Sequence, residues 1–167
     1  GTTLYAGTFN DGVLRSSDLG ATWVEVNAGL QDYRVYALAV SGTSLFAGTG
    51  LGVYRSTDGG EHWTNTSSGL PPTSARAFAV AGANIFVSVS GVGVFKSTDN
   101  GENWLPSYGG LDAFHRVASF IVCGSYVYAG TEGIGGVYRT MNFGISWAEV
   151  NTGLGSRNIL ALAACGP

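Results

Sequence analysis

Arginines that could bind an anion recur at one place in a repeated strand pattern. Counting back from the end of each predicted inner strand, we assign Arg34, Arg116 and Arg157 to equivalent positions. The remaining copy has Ser74 at that position and Arg76 two residues later. A guanidinium group binds a carboxylate or a phosphate through two parallel N–H donors, and aromatic rings stack on sugar faces. We therefore predict that these arginines converge on an anionic ligand, with other ring-bearing side chains beside them: Tyr33, Tyr108, Phe114 and His115.

Two carboxylates in neighbouring loops are the candidate acid and base of a hydrolase. Cleavage of a glycosidic bond needs two carboxyl groups about 5–9.5 Å apart. Asp11 and Glu132 would lie on adjacent loops if the repeats close into a ring, although nothing in the pattern singles them out. The alternative for the arginines is structural: each begins a strand and pairs with a nearby acid such as Asp32 or Asp112.

The elements that position these residues come from a fourfold repeat. Trp23, Trp63, Trp104 and Trp147 are spaced 40, 41 and 43 residues apart. Each of these tryptophans ends a short sequence phrase that also has Ser or Thr, Asp or Asn, and Gly at fixed positions before the Trp. Between these phrases, short apolar runs alternate with glycine-containing turns, as is typical of strands. The sequence predicts an all-β chain of four four-stranded antiparallel meanders, with no segment left for a helix.

A single meander has two apolar faces, and stacking several meanders about an axis buries them in a β-propeller. The chain begins on a second strand and ends on a first strand, so we predict that its two ends share one blade. Three organisations remain open: a closed four-bladed ring, part of a larger propeller, or a homodimer that completes a larger ring. As one domain, 1–167, the blades would be 1–30 plus 157–167, 31–70, 71–110 and 111–156.

The phrases "SSDLGATW" (16–23), "STDGGEHW" (56–63), "STDNGENW" (97–104) and "TMNFGISW" (140–147) carry a family resemblance. The chain resembles the Asp-box (BNR-repeat) β-propeller family, which includes repeats of sialidases, xyloglucanases, sortilin-type domains and photosystem II assembly factors. The resemblance implies that the phrase residues are structural: the acid accepts hydrogen bonds within its turn, and the indole enters the seam between blades. These residues are Asp18, Asp58, Asp99 and Asn142, with Trp23, Trp63, Trp104 and Trp147.

The same resemblance offers an activity. Sialidases use an arginine triad, a tyrosine nucleophile assisted by a glutamate, and an aspartate acid/base. The resemblance implies that the triad could be Arg34, Arg116 and Arg157, with Tyr33 or Tyr36 as the nucleophile. However, catalytic residues in those enzymes depart from the repeat, whereas these arginines follow it. We expect a non-catalytic interaction module that binds a glycan or a protein. The alternative is a glycoside hydrolase of sialidase or xyloglucanase type, or a fragment of one.

The amino-acid composition limits which classes of partner and cofactor we expect. Only 11% of the 167 residues are charged and the net charge is −3, which disfavours nucleic acid. No apolar run approaches the roughly 20 residues of a membrane helix. Cys123 and Cys165 form no CxxC pair and have no histidine at metal-ligand spacing, so we expect no metal and no cofactor. A disulfide between them remains open, and we expect an extracellular or envelope location.

Overall fold

The computed structural model describes residues 2–111 and 116–164, and every regular element in these ranges is a β-strand. The strands form four antiparallel up-and-down sheets, which we call blades 1 to 4. Blade 1 comprises β1 (Leu4–Gly7), β2 (Val13–Ser16) and β3 (Val24–Glu25). Blade 2 comprises β4 (Val35–Ser41), β5 (Ser44–Thr49), β6 (Gly52–Ser56) and β7 (Thr64–Asn65). Blade 3 comprises β8 (Ala75–Ala81), β9 (Asn84–Val89), β10 (Gly93–Ser97) and β11 (Leu105–Pro106). Blade 4 comprises β12 (Val117–Cys123), β13 (Tyr126–Thr131), β14 (Val137–Thr140) and β15 (Ala148–Glu149).

The innermost strands of successive blades pack against one another, β1 on β4, β4 on β8 and β8 on β12, so they line a common hub. The predicted all-β propeller class is therefore confirmed. Because each blade is apolar on both faces, the core lies in the seams between blades. One hydrophobic cluster spans each seam; that between blades 2 and 3, for example, joins Phe46 and Val53 to Ile85 and Trp104. Among the described residues, no helix is long and apolar enough to cross a membrane.

The last two strands of every blade are joined by the phrase that the sequence repeats; we call these segments (16–23, 56–63, 97–104 and 140–147) the signature turns. In the third, the Ser97 hydroxyl donates to an Asp99 carboxylate oxygen at 2.8 Å, and that oxygen also accepts the Asn103 backbone N–H at 3.0 Å. The Gly101 N–H donates to the Ser97 hydroxyl at 2.8 Å. The same three hydrogen bonds recur in the other turns, with Asn142 in place of the aspartate in the fourth.

The tryptophan at the end of a signature turn joins its blade to the preceding one. The indole N–H groups of Trp63, Trp104 and Trp147 donate to the carbonyls of Val26, Thr66 and Ser107 at 2.7, 2.8 and 2.7 Å. Their backbone N–H groups donate to a second carbonyl of the same preceding blade, two residues further along the chain. Each seam is thus closed by one indole that is both packed and hydrogen-bonded.

Cations that directly precede the signature turns cross each seam in the other direction. Arg15 donates to the Gly59 carbonyl at 3.2 Å and pairs with Glu61 at 2.6 Å, both in the next blade. Arg55 repeats this contact on the blade 3 turn, and Lys96 donates to a carbonyl of the blade 4 turn at 2.8 Å. The seam is therefore one repeated unit in which each blade both donates to its neighbour and accepts from it.

The two ends of the chain differ from the predicted shared blade. Blade 1 has three strands. Of the segment that we expected to complete it, 157–167, residues 165–167 lie outside the described residues and 158–164 lie against blade 4 instead. The Ile159 N–H donates to the Thr131 carbonyl at 2.8 Å, just as the Val35 N–H donates to Thr8 across the first seam. The segment thus makes the contact with blade 4 that β4 makes with blade 1. Pairing with β1 would also require blade 1 to lie beside blade 4, and the outer face of blade 1 is exposed at Trp23.

Candidate ligand-binding face

A β-bulge at the same point of three inner strands builds the candidate site. The pairing of β4 with β5 skips Tyr36, because Val35 pairs with Thr49 and Ala37 with Gly48. The pairings of β8 with β9 and of β12 with β13 skip Arg76 and Ala118 in the same way. A bulge leaves one residue out of the ladder and redirects its side chain, and bulges are common beside functional sites.

The three bulged residues line one cavity of about 300 Å³, which we call the hub cavity. Leu160, one residue after Ile159, completes the series in the terminal segment. One position of three successive inner strands, and the matching position of the terminal segment, therefore face a shared space. The wall of the cavity is completed by Val117 and by the ion pair of Arg116 with Glu132.

Arg76 is the cation of the hub cavity that lacks a carboxylate partner among the described residues. Its guanidinium carbon lies 3.8 Å from the centre of the Tyr36 ring, a cation–π distance. Its Nε donates to the Ser90 hydroxyl at 3.1 Å, and Ser90 is neutral. These contacts fix the plane of the guanidinium and leave its terminal donors for a ligand.

The other arginines of the predicted cluster are each paired with an acid. The Arg34 guanidinium contacts both carboxylate oxygens of Asp32, at 2.9 and 3.3 Å. Burial raises the pKa of Asp32, but the hydrogen bonds and charge of Arg34 outweigh it and hold the pKa below its usual range. Arg116 pairs with Glu132, and Arg157 with Glu149 at 3.6 Å. The structural alternative considered for the arginines therefore describes Arg34, whereas Arg116 pairs with Glu132 and the expected partner Asp112 lies outside the described residues.

The equivalence assigned to Arg157 is wrong by one residue. Its carbonyl accepts the Gly136 N–H at 2.9 Å, in the position where the carbonyl of Tyr33 accepts the Gly12 N–H. Asn158 is consequently the counterpart of Arg34 and Arg116, and its side chain accepts the Gly133 N–H at 3.0 Å. The sequence agrees with this register, because Asn158 stands seven positions before Cys165, just as Arg116 stands seven positions before Cys123. Arg157 is one position further from that end.

The predicted aromatic residues are divided between surface and core. Tyr33 is exposed on the candidate face. Tyr108 instead packs in the seams beside Phe95, with ring centres 6.1 Å apart, so it supports the fold. Phe114 and His115 lie outside the described residues. Sequence reasoning considered Tyr36 only as a nucleophile and missed Ala118 and Leu160. These residues share one position, the second of each inner strand, but nothing in their residue types marks that position as bulged.

The candidate acid and base are on different blades. Asp11 lies in the β1–β2 loop of blade 1 and Glu132 in the β13–β14 loop of blade 4, with two blades between them in the array. Glu132 is engaged by Arg116. Asp11 uses its backbone, donating to Thr8 at 2.8 Å and accepting from Asn27 at 2.8 Å. Within the described ranges, no three His, Cys, Asp or Glu side chains are grouped so as to hold a metal ion.

The carboxylates of the signature turns accept hydrogen bonds from residues of their own turns. The side-chain and backbone donors of Thr22 lower the pKa of Asp18 to about 2, and those of Asn103 do the same for Asp99. The pKa of Asp58 is also held far below its usual range, mainly by the backbone N–H of His62. Such groups serve as permanent acceptors that hold the turn closed.

Comparison with known proteins supports the fold. No family model matches the chain and no curated protein matches it. Among solved structures, the chain is similar to an ancestral GH74 enzyme (24% identity, TM-score 0.74, covering 89% of this chain and 22% of that one). It is also similar to the extracellular domain of BT4673 from B. thetaiotaomicron (14% identity, TM-score 0.78, covering 99% of this chain and 24% of that one). A third similar structure is YCF48 bound to D1 peptide (19% identity, TM-score 0.62, covering 86% of this chain and 48% of that one). The chain spans between a fifth and a half of these proteins, and at such identities the likeness shows the propeller fold alone.

Proposed function

We propose that the chain is a non-catalytic propeller module that binds a carboxylate-bearing ligand, an acidic peptide or glycan, at the hub cavity. The observation that carries the proposal is Arg76: a bulge directs it into the cavity, Tyr36 stacks on it, and only Ser90 among the described residues accepts from it. A fixed guanidinium with free terminal donors suits a carboxylate. Tyr36 and Leu160 add an apolar wall beside it.

A binding role accords with the charges of this face. Asp32, Glu132 and Glu149 are all engaged by arginines, so none of them is a free general acid or base. Hydrolysis needs two available carboxyl groups that flank one bond. We further propose that the chain belongs to the Asp-box group, on the pattern and hydrogen bonds of its signature turns, and that it works outside the cell or at the envelope. The likeness to an extracellular domain and to a protein bound to a peptide supports this view.

The test is binding of matched charged and neutral probes. A glutamate-rich peptide and an oligogalacturonate should bind, and their neutral counterparts, a glutamine-rich peptide and an uncharged oligosaccharide, should not. Arg76→Gln should weaken the binding at least about tenfold, since it removes a buried charge contact at a ligand. Arg139→Gln is the matched control, because Arg139 also stacks on a tyrosine, Tyr126 at 4.7 Å, but directly precedes a signature turn. Equal binding of charged and neutral probes would contradict the proposal.

The hydrolase alternative has a separate readout. Release of reducing sugar from xyloglucan or a sialoside, abolished by Glu132→Gln, would replace the binding role with a catalytic one. Binding without turnover by both the wild type and Glu132→Gln would support the module. The likeness to a GH74 enzyme is the reason to make this measurement.

A further inference from the structure

The two ends of the array carry opposite halves of the repeated seam. On the outer face of blade 1, Trp23 is 41% exposed, whereas Trp63, Trp104 and Trp147 are 4%, 1% and 4% exposed. The glycines of the signature turns show the same difference. A Cβ on Gly101 would meet Phe46 of the preceding blade, while, in the described part of the chain, a Cβ on Gly20 would meet only Trp23 and Leu4 of its own blade. Blade 1 therefore presents an indole prepared for a seam that the chain does not complete.

The outer face of blade 4 presents the matching socket. Trp147 lies with its ring centre 6.0 Å from that of Phe86 and 6.3 Å from that of Phe120, in a cluster that includes Ala79. Ala79 pairs with Phe86 in blade 3, and Ile121 pairs with Tyr128 at the same point of blade 4. The counterpart of Phe120 in the terminal segment is Leu162. These three counterparts line an apolar cavity of about 240 Å³, which we call the end socket: Ile121, Tyr128 and Leu162, together with Cys123, Ala163 and Ala164.

The polar half of the seam is also in place at the end socket. The Val150 N–H donates to Val137 at 2.9 Å, as the Val26 N–H donates to Val13, so the Val150 carbonyl holds the position that accepts an indole N–H in the first seam. Gly153 has a φ of +85°, close to the +91° of Gly29. A Cβ on Gly29 would strike the Trp63 carbonyl, whereas no described residue lies within 4 Å of one on Gly153.

We propose that the occupant of the end socket is Trp23 of a second copy of this chain. Both halves of the seam exist in one molecule without meeting, so a head-to-tail contact between copies would reproduce the three seams already present. In that contact, residues 158–164 of one copy would lie beside the edge strand β1 of the other and give it the fourth strand that it lacks. The contact is heterologous, and we expect two copies to close a ring of eight blades. The proposal does not depend on the ligand of the hub cavity.

The mass of the 167-residue chain in solution between about 1 and 200 μM tests the contact. A dimer is expected in the upper part of this range. Trp23→Ser should weaken association at least about tenfold, because a seam indole is a buried aromatic anchor. Gly153→Ala should weaken it similarly, since the new methyl group meets the incoming Trp23 backbone. Gly133→Ala is the matched control: its φ is +86° and no residue that the structure describes lies within 4 Å of its Cβ, but it is on the candidate ligand-binding face.

Mixing two variants distinguishes a head-to-tail contact from a symmetric one. Trp23→Ser keeps its socket and Gly153→Ala keeps its indole, so each alone should be monomeric and their mixture should form a one-to-one dimer. Alkylation of Cys123, an exposed free thiol that lines the end socket, should slow on association in the wild type. A chain that stays monomeric at 200 μM, or one that associates equally well without Trp23, would overturn the proposal.

Discussion

The charged residues of the signature turns are acceptors for their own backbone. Asp99 receives the Asn103 N–H, the Asn103 side-chain amide and the Ser97 hydroxyl within one turn. The fourth turn makes the corresponding bonds with a neutral side chain, as the Asn142 oxygen accepts from Ser146 at 3.0 Å and from Thr140 at 2.9 Å. The chain thus contains its own comparison of a charged acceptor with a neutral one.

Acid should therefore loosen three of the four signature turns. The pKa of Asp99 is about 2 in the folded chain and ordinarily 3.8, so its carboxylate stabilises the fold above about pH 4, and that contribution is lost as the pH falls towards 2. We expect the midpoint of thermal unfolding to drop between pH 4 and pH 2. Asp99→Asn should lower the midpoint slightly at pH 6 and flatten this drop, because the amide accepts the same bonds but does not titrate.

The midpoint difference between wild type and Asp99→Asn, followed from pH 6 to pH 2, measures this effect. It should shrink towards zero as the wild-type carboxylate becomes protonated. Asp11→Asn is a suitable control, since Asp11 hydrogen-bonds through its backbone atoms. A difference that stays constant over the whole range would mean that the charge of Asp99 does not stabilise the turn.

Residue roles could be predicted from the sequence where four copies show the same spacing, and less well elsewhere. The signature turns are local, so their hydrogen bonds follow from residue type and offset. The partners of Arg34 and Arg116 are also near in the loops, and pairing was foreseen as an alternative. The stacking of Arg76 on Tyr36 joins two blades and depends on both bulges, which no single copy of the repeat reveals.

At the scale of the elements, bulges and seams decide what each strand can do. The three bulged positions hold Tyr36, Arg76 and Ala118, which share neither size nor charge, so the sequence gives no sign of the bulge. The seams, in contrast, depend on residues that the repeat keeps. Gly69 has a φ of +87°, and a Cβ there would overlap the Trp104 carbonyl.

Gly69→Ala should open the seam between blades 2 and 3. The positive φ alone costs an alanine about 1–2 kcal/mol, and displacement of Trp104 from a fully buried position should raise the total to about 3–5 kcal/mol. Gly133→Ala has nearly the same φ and meets no neighbour within 2–111 and 116–164, so it should lose only the smaller amount. Urea unfolding of both variants gives the two values. Equal losses would show that backbone strain, and not the seam, is the cost at Gly69.

At the scale of the whole molecule, the fold is a short array of similar units, and such arrays are stabilised by contacts between neighbours. The number of blades and their strand order could be predicted because the repeat counts them. The position of the terminal segment could not be predicted. Its apolar first-strand pattern is compatible with pairing to β1 of the same chain and with pairing to a blade of a partner. In the structure, residues 158–164 keep their contact with blade 4, and Trp23 remains exposed.

Local stability should therefore fall from the middle of the array towards its ends. Blades 2 and 3 are packed on both faces, and Phe46 and Phe86 in their second strands are completely buried, whereas Leu4 in β1 is 37% exposed. Amide hydrogen exchange at micromolar concentration should show the strongest protection in β5 and β9 and the weakest in β1. At higher concentration, β1 and β13 should gain protection together, because the head-to-tail contact covers both. Equally strong protection from β1 to β13 in the most dilute sample would instead mean that one chain closes on itself.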